Sequence, residues 1–313
     1  MQFGKTLGFS SLLGIITQTQ GAFNFNTCSG IAIDPPSGAF PNGRIFITNR
    51  GNSSVSILNY TNPTAGSPTV ITTAQGTFNT PTGIAIDPPS VAFPNGRIFV
   101  VNSNNTISIL NYSNPTAGSP TVITTVQGSF YFGDYAGYIA IDALSNRIFV
   151  VNTGLSATVS ILNYTNPTAG SPTVITTVQG TFNNPSHVAI DAPNNRIFIT
   201  NCGNSSVSIL NYTNPTAGSP MVITTAQGTF NNPTGIALDA PNNRIFIINR
   251  SNSSVSILNY TNPTAGSPTV ITTAQGTFSL SYQTSLAIDA PNNQIFVVNA
   301  NNNTVSILSN IFT

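Results

Sequence analysis

The stretch V-A-I-D-A-P-N-N-R-I-F-I-T-N-C-G-N-S-S-V-S-I-L-N-Y-T-N-P-T-A-G-S-P-M-V-I-T-T, from Val188 to Thr225, decides the fold. It holds short runs rich in Val, Ile, Thr and Phe, separated by clusters of Asn, Gly, Pro and Ser. β-Branched and aromatic runs bounded by turn formers read as strands. We label the runs of this unit a (ending I-D at Asp191), b (R-I-F-I-T-N), c (S-V-S-I-L) and d (V-I-T-T). D-A-P-N-N-R supplies the a–b turn, because Asp, Pro and Asn each suit turn conformations.

The same unit recurs along the whole chain. The motif I-A-I-D or a close variant ends at Asp34, Asp87, Asp142, Asp191, Asp239 and Asp289, with spacings of 53, 55, 49, 48 and 50 residues. Run b follows each time, opening at Arg44, Arg97, Arg147, Arg196, Arg244 and, in the sixth copy, Gln294. In the first two copies the a–b turn is stretched to a D-P-P-S…A-F-P-N-G-R form. Four antiparallel strands in a unit of about 50 residues is the pattern of a β-propeller blade. The sixth copy stops after run c at Leu308, whereas the N-terminus carries an unpaired d, Gly14-Ile15-Ile16-Thr17 onward to Phe23. A ring uses that permutation, because the N-terminal strand completes the last blade and removes an open edge. The expectation is an all-β, six-bladed β-propeller of four-stranded antiparallel blades, with residues 1–13 as a leader and 14–313 as one domain. Its repeats lie near 30–82, 83–137, 138–186, 187–234, 235–285, and 286–308 plus 14–23.

The stretch Val188–Leu210 resembles the YVTN family of β-propeller repeats, with NHL-type propellers close in pattern. The departure is Phe198, which stands where the Tyr of that name would be. The resemblance implies the propeller fold. It leaves function open, since many such propellers are binding or surface proteins and some are lyases or hydrolases.

Composition narrows the classes. Of 313 residues, 40% are hydrophobic and 5% charged, and the net charge is +1. A phosphate binder needs a basic stripe, so nucleic acid is not an expected partner. No apolar run reaches the ~18 residues of a membrane-spanning helix, and no membrane insertion is expected. All seven acids are aspartate, and there are one histidine, two cysteines and no tryptophan. A zinc site takes three or four His, Cys or carboxylate ligands, so no metal and no cofactor are expected. Cys28 and Cys202 fall on the first and fourth blades, nearly opposite in the ring, and are not expected to pair. Lys5 with Leu7–Leu13 reads as a weak signal-peptide pattern, but cleavage near residue 14 would damage the closing strand. Ten N-x-S/T sequons and a nearly uncharged Asn/Thr-rich surface favour an extracellular, cell-surface or virion setting over the cytoplasm.

The repeat Asp and Arg residues read as structural, the Asp serving the a–b turn and pairing with the nearby Arg. The departures from the repeat fall elsewhere. Arg50, Cys202 and Arg250 sit on b–c connections; Asp134, His187 and Cys28 lie on or beside d–a connections. So do the four tyrosines outside the repeat, Tyr131, Tyr135, Tyr138 and Tyr282. In an up-and-down blade these connections share one face, around the channel mouth. Loops on a rigid scaffold carry function, and tyrosine gives large contact area at low entropy cost. The candidate ligand-binding set is therefore Tyr131, Asp134, Tyr135, Tyr138, His187, Arg50, Arg250 and Tyr282, with no catalytic residue assigned. The blander reading is that loops drift and the aromatics plug the channel. The expected function is a non-enzymatic interaction or structural propeller that binds a protein, peptide or glycan on this face. Self-association through the repeated N-Y-T-N-P-T-A-G-S-P arms is a second partner class. The alternative is a lyase or hydrolase with its site at the channel mouth, where Asp134, His187, Arg50 and Arg250 could meet only across the channel.

Overall fold

The computed structural model describes residues 11–17, 28–38, 40–63, 69–117, 120–124, 132, 137–153, 157–168, 173–176, 181–211, 221–223, 229–259, 262, 269–271, 278–281 and 284–309. Among them are 24 strands in six antiparallel four-stranded sheets. Strand β1 (Ser11–Ile16) is followed by the first blade: β2 (Cys28–Asp34), β3 (Arg44–Asn49), β4 (Ser54–Asn59) and β5 (Thr69–Ile71). The second is β6 (Pro81–Asp87), β7 (Arg97–Asn102), β8 (Thr106–Asn111) and β9 (Thr121–Ile123). The third is β10 (Ile139–Asp142), β11 (Arg147–Asn152), β12 (Thr158–Asn163) and β13 (Thr173–Ile175). The fourth is β14 (Pro185–Asp191), β15 (Arg196–Asn201), β16 (Ser206–Asn211) and β17 (Met221–Ile223). The fifth is β18 (Pro233–Asp239), β19 (Arg244–Asn249), β20 (Ser254–Asn259) and β21 (Thr269–Ile271). The sixth is β22 (Leu286–Asp289), β23 (Gln294–Asn299), β24 (Thr304–Ser309) and, as its outer strand, β1. One helical turn, α1 (Thr73–Gly76), follows β5.

The expected clasp is present. β1 runs antiparallel to β24, with Gly14 opposite Ile307 and Ile16 opposite Val305. Ile16 is fully buried and joins the core between the sixth and first blades, with Phe296, Val305 and Ile307 on one side and Ile31, Ile45 and Ile47 on the other. Every core layer is built this way. Phe46, Val55 and Phe78 of the first blade and its exit pack against Ile84, Ile98 and Val100 of the second. Burying each such side chain contributes about 1.5–3 kcal/mol, and no blade can bury its faces alone.

Turn chemistry follows the sequence. The last residue of each a–b turn is in the left-handed region: Gly43 and Gly96 in the two stretched turns, Asn146, Asn195, Asn243 and Asn293 in the short ones. Gly and Asn adopt that conformation at the least cost. In the short turns the preceding Asp closes the loop, as Asp191 Oδ1 accepts from Asn194 N at 3.2 Å.

Candidate functional site

One buried asparagine organises each blade's end. Asn201, the last residue of β15, is fully buried. Its Nδ2 donates to Ser206 Oγ (3.1 Å) and Ser208 Oγ (2.9 Å), and its Oδ1 accepts from the backbone N–H of Asn183 (3.2 Å). Asn49, Asn102, Asn152, Asn249 and Asn299 make the same pair of donations. Asn102, Asn249 and Asn299 also accept from the incoming connection, at Asn79, Asn231 and Ser279. These bonds place the d–a connections and b–c turns on one face, as the up-and-down pattern requires, and fix both to the blades.

Below that face the inner strands are stitched by hydroxyls. Ser29 Oγ and Thr48 Oγ1 of the first blade donate to the Thr82 carbonyl of the second, at 3.1 and 2.7 Å. Ser186 Oγ and Thr200 Oγ1 of the fourth do the same to the Thr234 carbonyl of the fifth, both at 2.8 Å. The next position along each inner strand, held by Gly30, Gly83 and Gly235 in three blades, is Tyr138 in the third and His187 in the fourth. Those two rings stack with centroids 3.2 Å apart. Tyr138 is 6% exposed and His187 3%. Among the described residues, neither the Tyr138 hydroxyl nor either His187 ring nitrogen has a hydrogen-bond partner. Burial holds the His187 imidazole well below its usual 6.5, hence neutral, and drives the Tyr138 phenol above its usual range. Arg50 favours the Tyr138 phenolate and Cys28 opposes it, so the ring also feels the first blade. Tyr138 of the third blade and His187 of the fourth thus meet beneath the surface.

Arg50 and Arg250 are half-buried at the heads of their b–c turns. Arg250 N donates to the Asn232 carbonyl at 3.2 Å. Its guanidinium also favours the Cys202 thiolate, against the burial that raises that thiol. Cys28 and Cys202 are free and buried, and burial pushes the Cys28 thiol up to about 12. Tyr131, Asp134, Tyr135 and Tyr282 lie outside the described residues. No group of three or more His, Cys, Asp or Glu that could hold a metal occurs among the described residues.

The opposite face carries what sequence reading passed over. In the first two blades the repeat Asp and Arg do more than close a turn. Arg44 reaches into the seam with the second blade, where its guanidinium carbon lies 3.4 Å from the Phe40 ring centroid and 3.9 Å from that of Tyr112. Its Nη1 donates to the Tyr112 carbonyl at 2.8 Å, and the Tyr112 hydroxyl donates to Asp34. Arg97 repeats this with Phe93 (3.3 Å), Tyr164 (4.0 Å) and the Tyr164 carbonyl (2.8 Å). At the seam between the sixth and first blades there is instead a cavity of about 240 Å³, lined by Gly14, Tyr60, Thr61, Pro63, Gln294, Phe296 and Ile307. The sequence signal was Gln294 in a column of arginines.

Residues 230–258, from the connection into the fifth blade to its third strand, match the NHL repeat, in keeping with the NHL-type pattern of the sequence. No curated protein matches the chain. Solved propellers resemble it in fold. A chain of the nidogen/laminin complex is 14% identical, with TM-score 0.59 over 79% of this chain and 80% of that one. The PQQ-bound aldose sugar dehydrogenase of Streptomyces coelicolor is 16% identical, with TM-score 0.62 over 96% and 97%. A luciferin-regenerating enzyme is 10% identical, with TM-score 0.63 over 95% of both chains. At these identities the likeness is one of fold alone.

Proposed function

We propose that this propeller is a non-enzymatic binding module that takes a protein, peptide or glycan on the face bearing the d–a connections and b–c turns. The observation that supports it is the Asn-anchored construction of that face: the connections are held at fixed positions by buried bonds, which is how a scaffold presents a recognition surface at low ordering cost. The titratable groups nearest the axis suit a support better than a reacting site. His187 is neutral, enclosed and stacked on Tyr138, so an external substrate has no path to its nitrogens in this conformation. Arg50 and Arg250 are the charged side chains of this face among the described residues, and both can donate to carbonyl or carboxylate oxygens.

Purified protein screened against a glycan array and against peptide libraries tests the reading, with Arg250→Ala and Tyr135→Ala as controls. Binding lost in either variant supports recognition on this face. Binding retained in both moves it to the repeated arms. A catalytic turnover abolished by His187→Ala would replace the proposal with the enzyme reading.

A further inference from the structure

The closing seam differs from those of Arg44 and Arg97 in four ways. Gln294 replaces the arginine of Arg44 and Arg97, as its pairing opposite Asp289 shows. Gly14 replaces a threonine: it lies opposite Ile307 as Thr69 lies opposite Ile57 and Thr121 opposite Ile109. A Cβ built on Gly14 would meet nothing within 4 Å. The short a–b turn from Asp289 to Gln294, like those of the third to fifth blades, lacks the aromatic that Phe40 and Phe93 lay over the Arg44 and Arg97 guanidinium groups. Finally, Asp289 is 1% exposed and has no ion-pair partner among the described residues, whereas Asp34 and Asp87 face Arg44 and Arg97 at 3.8 and 3.6 Å.

What the other seams use to hold their arginine is retained here. Tyr60 takes the place of Tyr112, and its ring lies 5.7 Å from Phe296, as Tyr112 lies 6.0 Å from Phe46. The Tyr60 hydroxyl and Gln294 Oε1 meet at 3.5 Å, and Asn292 Nδ2 approaches the same hydroxyl at 3.5 Å while donating to Asp289 at 2.7 Å. The floor is buried at Phe296 and Ile307, and the rim is open at exposed Thr61.

We propose that this cavity is a binding site for an arginine side chain of a partner polypeptide. The incoming guanidinium takes the place that Arg44 and Arg97 fill at their seams. It lies against the Tyr60 and Phe296 rings, donates to Gln294 Oε1 and the Tyr60 hydroxyl, and supplies the positive charge that buried Asp289 lacks. Cation–aromatic contact and charge-assisted hydrogen bonding both select guanidinium over a neutral isostere. Among the described residues no aromatic covers the rim, and this opening is the route of entry. The site lies on the face opposite the one proposed above, and neither reading depends on the other.

The test is a titration of the full chain with N-acetylarginine methylamide, followed by the ring resonances of Tyr60 and Phe296. The citrulline analogue serves as the neutral control. Saturable shifts at those two rings are expected, with at least tenfold preference for arginine over citrulline. Gln294→Arg supplies the chain's own guanidinium and is expected to weaken the response at least tenfold while raising the melting temperature. Gly14→Thr narrows the cavity from the clasp side and provides the same test if the first variant does not fold. Equal response to citrulline, or an undiminished response in whichever of these variants folds, overturns the proposal.

Discussion

At the residue scale, each blade end is held by a buried asparagine that donates to two hydroxyls. Asn201 shows the cost of losing one. Asn201→Ala removes the acceptor of the Asn183 amide and one bond each from Ser206 and Ser208, whose hydroxyls keep Asn204 and Thr181; an unsatisfied buried group costs about 1–3 kcal/mol. The substitution is expected to destabilise the protein by about 2–3 kcal/mol, measured by urea unfolding. His187 gives a signed pH effect. Its folded-state pKa lies below the unfolded value of 6.5, so below that pH the unfolded chain binds a proton that the native one does not. Stability then falls as pH drops from about 6.5, by up to ~1.4 kcal/mol per unit. Urea midpoints from pH 7 to 5 should show the slope, and His187→Phe should flatten it. A slope unchanged in that variant would mean that the imidazole takes up its proton equally in the folded and unfolded states. Cys28, with its thiol raised to about 12, should react with a thiol reagent at pH 8 far more slowly in native than in urea-unfolded protein.

At the scale of elements, the strands are short and their ends are set by turns whose chemistry is written locally. Gly or Asn at the left-handed position of each a–b turn is one example. The outer strand of the sixth blade is the exception to local construction, because β1 and β24 stand at opposite ends of the chain. Removing residues 1–23 takes β1 and fully buried Ile16 with it. An exposed β24 edge invites pairing with other chains, so the truncation should aggregate or melt well below the full chain. An unchanged melting curve would contradict the clasp as the stabilising closure. A milder version, Ile16→Ala, should cost about 2–5 kcal/mol.

At the scale of the molecule, cohesion lies between blades. Each core layer is shared by two neighbours, as Phe46 of the first blade packs among Ile84, Ile98 and Val100 of the second. A ring of shared layers should unfold as one unit. Phe46→Ala is expected to lower, by about 3–5 kcal/mol, a single transition that tyrosine fluorescence and far-ultraviolet circular dichroism report together; separate midpoints would indicate independent blades. This sharing also explains what was legible. Strand runs, turn residues, the count of six and the displaced outer strand could all be read, because each is a local pattern or a simple count along the chain. The fates of Tyr138 and His187 could not. Both break the repeat as a surface residue would, yet both are buried, with their rings stacked between neighbouring blades.

The six-fold repeat of four strands and the end at which the ring closes were written in the sequence, because β-branched runs and turn chemistry act over a few residues. The sequence also marked Gln294 as an exception without saying to what. That the Gln294 and Gly14 exceptions share one seam and together line a cavity follows from the three-dimensional fold. Those two residues lie 280 positions apart, and ring closure alone brings them together. What a missing side chain leaves behind depends on what packs across from it, and that neighbour is chosen by the fold.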